Sequence, residues 1–252
     1  MATIAPPASV FAQILDYANR ADPYPLYAEL RKTPVARQDD GSYVVSTYQE
    51  IVDLLHDPRI SSQDRDDGDS PGGAAAFIRT DPPDHDRLRR IVNGPFGPPH
   101  TPGRVDGMIP DLRRLVTSLI DDLAGKAEVD IVDEFAYPFP VTVICDLLGV
   151  PREDEPRFHG WAQALVDALD PGAGDAAERE RKRTEALTEM GLYLAGLVDA
   201  YRKSPGPSLL SALATDDGPE GRLTDMELLA SAVLLLVAGH ETTVNLITNG
   251  ML

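Results

Sequence analysis

Residues 223–252, LTDMELLASAVLLLVAGHETTVNLITNGML, are the stretch that decides the fold. Thr224 and Glu227 form a capping box, which predicts that a helix begins directly after Thr224. The 11 residues from Leu228 to Ala238 are apolar except for Ser231. A helix that is apolar all round is buried on all sides, and this run is shorter than the roughly 20 residues that span a bilayer. We therefore expect the central helix of a soluble core.

A polar break interrupts this helix where it is most apolar. Gly239, which costs about 1 kcal/mol relative to alanine inside a helix, precedes His240, Glu241, Thr242 and Thr243. Threonine hydroxyls at these positions can bond to the carbonyls of Ala238 and Gly239, which bends a helix. The break indicates either a helix that leaves the core with a polar turn or a functional site. A metalloprotease His-Glu-x-x-His pattern is excluded because Val244 stands at the second histidine position.

The composition limits the classes of partner and compartment. A net charge of −18 over 252 residues disfavours nucleic acid and anionic membrane surfaces as partners. Cys145 is the one cysteine, so an internal disulfide is excluded and a reducing cytoplasm is expected. The N-terminus has no basic segment followed by an apolar one, so we expect no signal peptide. No other segment is long enough to suggest a membrane span.

The remaining pattern predicts a mainly helical chain with one small β element. Helices are expected to begin near Asp22, Thr47, Asp81, Pro110, Pro138, Pro156 and Asp175, where caps or prolines precede apolar rows. Val35–Arg37 and Ser42–Ser46 flank an Asp-Asp-Gly turn and predict a hairpin, and Val129–Val132 suggests a short strand. Residues 61–76 lack periodicity and predict a long loop, either a binding loop or a plain insertion.

The helix predicted to begin at Asp81 carries a candidate binding pair. His85 and Arg89 are four residues apart and share one face. Both can donate to a ligand carboxylate, and arginine does so in a planar fork. The alternative is a solvated face on which Asp84 and Asp86 satisfy both cations. The buried side of this helix is expected to carry Leu88, Ile91 and Val92.

Two long helices in the second half of the chain allow two interpretations. Helices predicted at 156–169 and 175–203 are joined by Pro171-Gly172-Ala173-Gly174. Helices joined by a short flexible turn can form a lid over a binding site, or they can form a structural hairpin. Periodicity does not separate the two.

Four segments together resemble the bacterial class of cytochrome P-450, the thiolate-ligated haem monooxygenases. They are LHDPRISS at 55–62, DPPDHDRLRR at 81–90, FAYPFPVTVICDLLGVP at 135–151, and GRLT at 221–224 leading into AGHETT at 238–243. Their order and spacing match the family from about residue 22 onward. The resemblance implies a helical prism with a small N-terminal β element.

The resemblance also implies contacts to the cofactor, haem b. The family's counterparts of His85 and Arg89 hold the haem propionates. Ala238 and Gly239 would lie against the distal face of the haem, where the glycine makes room for dioxygen. Phe96 is a further expected contact, although a Gly-Pro-Pro-His-Thr-Pro segment follows it where the family has a compact Phe-Thr-Pro.

The same resemblance implies a catalytic pair and a missing part. Glu241 and Thr242 correspond to the family's acid–alcohol pair, which helps to bind dioxygen and relays protons to it. The family's Glu-x-x-Arg pair and its haem-ligand cysteine loop follow the central helix. We therefore expect residues 1–252 to be a single domain truncated before those segments, with the axial cysteine ligand absent and no metal ligand present. Cys145 does not match the ligand position and is expected to be a buried small hydrophobe.

The implied function is monooxygenation of a small organic substrate in secondary metabolism, with electrons from a ferredoxin-type partner. The isolated chain is expected to be inactive, and residues 61–80 and 158–195 are expected to line the substrate site. The first alternative is a non-enzymatic helical binding or interaction protein, including a degenerate fragment of such an enzyme. A carboxylate metal site in a helical bundle is disfavoured, because no Glu-x-x-His motif pairs with another on a facing helix.

Overall fold

A computed structural model describes residues 9–63, 76–96, 104–170 and 174–251, except for the side chain of residue 105. The chain divides into two compact units, one formed by Met1–Ser61 with Ala164–Arg183 and the other by Ser62–Gln163 with Thr184–Leu252. The expectation of a single domain stays a prediction.

The first unit contains the β element and the first three helices. Their bounds are α1 Val10–Leu15, α2 Tyr24–Leu30, β1 Val35–Arg37, β2 Tyr43–Val45 and α3 Tyr48–His56. The two strands are antiparallel and place Val35 opposite Val45, which confirms the predicted hairpin. Helix α3 begins directly after Thr47 as predicted, but the Thr47 side chain makes no capping bond, so the cap expected there is wrong. Every described residue between positions 9 and 61 is at least partly exposed, so this unit contributes little core.

The second unit contains the core and most of the helices. Their bounds are α4 Asp84–Asn93, α5 Arg104–Leu123, α6 Pro138–Leu148, α7 Glu155–Leu169, α8 Ala176–Lys203, α9 Leu209–Thr215 and α10 Asp225–Gly250. The ends of α7 and α8 that adjoin residues 171–173 belong to the first unit. Among the described residues the two strands β1 and β2 form the one sheet, so the predicted mainly helical fold with a small β element is confirmed.

Helix α6 ends where the sequence predicts a stop. Gly149 follows it with φ of +84°, a conformation that favours glycine. A Cβ at this position would also lie 2.5 Å from Cβ of Ser208, so no larger residue fits. The hydroxyl of Tyr201 donates to the Gly149 carbonyl and fastens the end of α6 to α8.

Helix α10 packs against α6 along one side only. Its capping box between Thr224 and Glu227 is confirmed. The buried row follows the helical period and consists of Leu228, Ser231, Ala232, Leu236, His240 and Val244. On the other side Leu246 is 73% exposed. The prediction of burial on all sides is therefore wrong for this chain, because apolar composition does not tell which faces of a helix find neighbours.

Helix α10 is also the one helix among the described residues that is long and apolar enough to cross a membrane. The whole helix has 26 residues, whereas its purely apolar run has 11. Core helices of soluble proteins share this length and composition.

Two sequence predictions fail because of contacts around helix starts. The expected strand Val129–Val132 does not form: residues 129–130 belong to no helix or strand, and a π-helix occupies Val132–Ala136. The carboxylate of Asp130 accepts the N–H of Val132 at 2.9 Å and that of Asp133 at 3.2 Å, which caps the helical turn. The β-branched residues of this segment favour a strand in isolation, so the sequence prediction was wrong here.

Helix α5 begins earlier than predicted. It starts at Arg104 and carries Pro110 in its interior, whereas the sequence favoured Pro110 as the first residue. Arg104 donates from Nη1 to the Pro207 carbonyl at 2.9 Å, a contact between residues about 100 positions apart. Such a long-range bond stabilises an early helix start and leaves no local signal.

Candidate functional site

Helix α4 presents the predicted binding pair as its sequence pattern suggests. Leu88, Ile91 and Val92 are buried, which confirms the predicted core side. His85 is partly buried and Arg89 is exposed, one helical turn further on. The predicted Asp81 cap is wrong, because its carboxylate accepts the N–H of Ser62 at 2.9 Å instead.

The arginines of α4 differ in their partners. Arg87 forms an ion pair with Glu227 at the start of α10. Arg90 donates from Nε to Oε1 of Glu220 at 2.9 Å. Arg89 makes no ion pair or hydrogen bond with any residue that the structure describes. An unpaired guanidinium is unexpected in a chain with a net charge of −18, so Arg89 is available to a ligand.

The other two predicted contacts near α4 are only partly defined. Nδ1 of His85 lies 2.9 Å from Oδ1 of Asp86, so Asp86 satisfies this histidine but not Arg89. This fixes the ring and leaves Nε2 for a second partner. Phe96 ends a 3-10 turn at Gly94–Phe96 and is partly buried. The unusual segment that follows it lies outside the described residues.

Helix α10 brings the predicted acid and alcohol to adjacent positions. The Thr242 hydroxyl donates to the Ala238 carbonyl at 2.9 Å, which confirms the predicted bond for this threonine. Ala238 and Thr242 are both exposed, on the side of α10 away from its buried row. Among the described residues no hydrogen bond or ion pair joins the Ala238–Thr242 segment to His85 or Arg89.

The Glu241 carboxylate has one oxygen held and one free. Nδ2 of Asn245 donates to Oε1 of Glu241 at 3.2 Å and to its main-chain carbonyl at 3.0 Å. Oε2 lies 3.8 Å from Nε2 of His240, which is beyond a direct hydrogen bond. The sequence analysis missed Asn245, although its spacing of four residues from Glu241 was an available signal.

His240 lies behind the site, on the buried row of α10. It is 1% exposed, and its Nδ1 lies 2.7 Å from the Leu236 carbonyl. Its ring meets the Tyr137 ring edge-on with centroids 6.0 Å apart. Tyr137 in turn stacks on His159 at 4.1 Å. The sequence analysis assigned no role to Tyr137 or His159, because contacts across helices have no periodic signal.

Gly239 has a packing partner in α6. A Cβ at this position would lie 2.8 Å from Cδ1 of Ile144, closer than real Cβ contacts approach. The close packing of α6 on α10 therefore gives one sufficient reason for glycine here. The role suggested by the resemblance, making room for a ligand, stays a prediction.

Cys145 is fully buried in α6, as the sequence predicts. Burial raises the pKa of its thiol to about 12, and the negative charges of Glu155 and Asp146 contribute further. A thiol in this environment is inert near neutral pH. No cluster of three or more His, Cys, Asp or Glu side chains that could hold a metal occurs in the part of the chain that the structure describes.

Comparison with known proteins gives a consistent result, although no family model matches the sequence. The chain is 38% identical over 258 aligned positions to cytochrome P-450 107B1 of Saccharopolyspora erythraea, covering 94% of this chain and 60% of that protein. It is 40% identical to cytochrome P-450 monooxygenase PikC of Streptomyces venezuelae, covering 92% of this chain and 56% of PikC.

Comparison with solved structures leads to the same family as comparison of the sequences. The crystal structure of ligand-free CYP164A2 from Mycobacterium smegmatis superposes with a TM-score of 0.83 at 37% identity, over 96% of this chain and 62% of that one. The chain thus spans about three-fifths of the length of the relatives it matches. From its sequence, its mainly helical fold and these relatives, the chain belongs to the cytochrome P-450 superfamily, as a partial member.

Proposed function

We propose that this chain forms part of a haem-dependent monooxygenase that inserts one oxygen atom into a small organic substrate. The observation that carries the proposal is the exposed face of α10, on which Ala238 and Thr242 lie directly beside Glu241. Family membership supplies the reaction class, since PikC among the relatives is named a monooxygenase.

The described residues fit a haem. A propionate carboxylate would give Arg89 the partner that it lacks among the described residues, and a bidentate guanidinium–carboxylate pair is a strong one. Ala238 is small and exposed, so a flat macrocycle can approach the helix there. When bound, haem b supplies the redox-active iron at which dioxygen is activated. Cys145 is buried with a raised pKa, so we assign the axial thiolate to a segment outside this chain.

His85 and Phe96 complete the proposed cofactor contacts. The Asp86 carboxylate holds Nδ1 of His85 at 2.9 Å, which orients Nε2. In the imidazolium form Nε2 donates to a propionate and adds a second positive charge beside Arg89. Phe96 contributes apolar contact at the edge of the cofactor.

Glu241 and Thr242 are the residues to which we assign proton transfer. Asn245 holds Oε1 of Glu241, so Oε2 is the atom that can carry and release a proton. The Thr242 hydroxyl donates to the Ala238 carbonyl at 2.9 Å, and its oxygen can still accept a hydrogen bond from a water or a bound ligand. The pair can therefore pass a proton from Glu241 towards a ligand above Ala238, and such positioned donors accelerate proton transfer.

The proposed partners are a small organic substrate of secondary metabolism and a ferredoxin-type electron donor. We place the protein in the cytoplasm, with no role in binding nucleic acid or membranes, because its net charge is −18 and it has one cysteine.

A second candidate function is a non-enzymatic helical binding protein, including a degenerate fragment of such an enzyme. The uncovered face of α10, with Leu246 73% exposed, favours it, because large exposed apolar patches mark interaction surfaces.

A carbon-monoxide difference spectrum separates the two functions. The product of the complete reading frame, reconstituted with haem and reduced, should give the band of a thiolate-ligated haem. The 252-residue chain alone should not give it. A complete product that binds no haem would rule out the enzyme and leave the binding protein. The band from the 252-residue chain would mean that Cys145 is the ligand.

A further inference from the structure

Two buried polar atoms without a partner belong to neighbouring rings. Within the described residues, Oη of Tyr137 and Nε2 of His240 are both buried and make no hydrogen bond. The two rings are in edge-on contact, with centroids 6.0 Å apart. Native proteins rarely leave buried polar atoms unpaired, so two of them on neighbouring side chains call for an explanation.

The hydrogen-bonding roles of the two atoms are complementary. A carbonyl only accepts, so the 2.7 Å contact with the Leu236 carbonyl places the hydrogen of His240 on Nδ1. In the neutral ring Nε2 is then an acceptor. The Tyr137 hydroxyl is a donor, and burial first, then the charges of Cys145 and Glu241, raises its pKa. Tyr137 therefore keeps its hydrogen.

A third polar group interacts with both residues, because the charge of the Glu241 carboxylate also acts on the Tyr137 hydroxyl. Oε2 of Glu241 lies 3.8 Å from Nε2 of His240, too far for a direct bond. Both atoms are acceptors when the carboxylate is ionised, so neither satisfies the other. A polar separation of this length is typical of a bridging water.

We propose that one buried water molecule lies between Tyr137, His240 and Glu241. It accepts a hydrogen bond from Oη of Tyr137 and donates to Nε2 of His240 and Oε2 of Glu241. Three hydrogen bonds are the usual number for a buried water. Here the protein supplies one donor, Tyr137, and two acceptors, His240 and Glu241, and the water pairs with all three atoms. The water satisfies both unpaired atoms and holds the oxygen of Glu241 that Asn245 leaves free.

The water makes Tyr137 and His240 positioning residues for the Glu241 carboxylate. This consequence, unlike the water itself, rests on the proposed function, in which Glu241 carries a proton. Asn245 fixes Oε1 from the exposed side, and the water fixes Oε2 from the buried side. The carboxylate is then held by both oxygens.

The first test is the stability of Tyr137→Phe in the 252-residue chain, measured by urea unfolding. The substitution keeps the ring and removes only the hydroxyl. If the water is bound, the unfolding equilibrium constant should rise about fivefold. If the hydroxyl is unpaired, its loss should leave stability unchanged or increase it, which would overturn the proposal. The positive control is Tyr193→Phe, which removes a direct hydrogen bond from the Tyr193 hydroxyl to Asp154. The neutral control is Tyr48→Phe, because the Tyr48 side chain is 82% exposed.

The second test is a high-resolution crystal structure of the complete product. We expect one ordered water within hydrogen-bonding distance of all three atoms, and its loss or displacement in Tyr137→Phe. A direct bond from Tyr137 to His240 or Glu241, with no water between them, would overturn the water site.

The third test separates the water from the proposed function. In the haem-loaded product, Tyr137→Phe should lower product yield per electron about twofold or more, and it should have no further effect in a Glu241→Gln background. If the water is seen but the yield is unchanged, the site stands and the positioning role fails. If Glu241→Gln itself has no effect, the proposed role of Glu241 fails independently of the water.

Discussion

Cδ1 of Ile144 occupies the place where a side chain on residue 239 would begin. A Cβ built on Gly239 would lie 2.8 Å from that atom and 2.9 Å from Cγ1 of the same isoleucine. The contact joins α6 to α10 at the polar break, directly before the acid and alcohol of the proposed site. Packing and function therefore meet at one residue, and substitution can separate them.

Gly239→Ala should destabilise the chain, although alanine is the better helix former. The added methyl group meets Ile144, and overpacking a core typically costs about 1–3 kcal/mol. Gly196→Ala in α8 is the matched control, because nothing lies within 4 Å of a Cβ there. It should stabilise by up to about 1 kcal/mol. Urea unfolding of both variants measures the difference.

Rescue by a second substitution checks the cause. Ile144→Ala alone should cost about 2–5 kcal/mol as a large-to-small change. Combined with Gly239→Ala it should cost clearly less than the sum, because the new methyl group fills part of the cavity. Additive costs would show that Ile144 is not the reason for glycine at 239.

Arg89→Ala should weaken haem retention in the complete product and leave the stability of the 252-residue chain unchanged. Its guanidinium has no partner to lose among the described residues. Arg87→Ala should lower the stability of the 252-residue chain and leave haem retention largely unchanged, because it breaks the ion pair with Glu227. Loss of a charge-assisted bond to a propionate is worth roughly 1.5–3 kcal/mol. Haem dissociation rates and urea unfolding are the two readouts.

Arg90→Ala is the closest control for Arg89. It breaks an exposed pair with Glu220, and such pairs contribute about 0–1 kcal/mol. Equal haem loss in Arg89→Ala and Arg90→Ala would contradict the assignment of Arg89 to a propionate.

Thr242→Val separates chemistry from packing at the polar break. Valine keeps the shape and removes the hydroxyl that donates to the Ala238 carbonyl, so stability should change by about 1 kcal/mol or less. In the haem-loaded product, electrons should be diverted from hydroxylated product to peroxide, because proton delivery loses a positioned group. Unchanged product yield per electron would reduce this threonine to a feature of a bent helix.

Stability should fall above pH 9 because of Cys145. Burial raises its pKa from 9.0 to about 12, so the unfolded chain loses the thiol proton first. The unfolded state then binds fewer protons, and the free energy of unfolding decreases as pH rises, by up to about 1.4 kcal/mol per unit. Between pH 9 and 10 this slope should be largely absent in Cys145→Ala, measured by urea unfolding at each pH.

The uncovered face of α10 should bind a hydrophobic dye in the 252-residue chain. Leu246 is 73% exposed there, whereas Leu236 on the buried row is 1% exposed. Leu246→Gln should reduce dye fluorescence and aggregation without lowering stability. Leu236→Gln should unfold the chain and raise the fluorescence, because it buries an amide among apolar neighbours. A wild-type chain that is monomeric and does not raise the fluorescence of the dye would contradict the prediction.

Features set by neighbours along the chain were predictable. The capping box of Thr224 and Glu227, the stop at Gly149 and the hairpin around residues 39–41 are all formed by residues within a few positions of each other. The spacing of His85 and Arg89 likewise put them on one face of α4 from sequence alone. Each of these depends on backbone geometry and hydrogen bonds that close within one or two turns.

Features set by residues distant along the chain were decided only by the tertiary structure. The sequence marked Gly239 as unusual, but only the packing of α6 supplies Ile144 as its neighbour. It could not show that Arg87 forms an ion pair with Glu227 whereas Arg89 does not. Nor could it show that the Tyr137 and His240 rings are in contact. The sequence determined an apolar helix with a polar break, whereas tertiary packing decided which face is buried, because burial depends on neighbours that local periodicity does not specify.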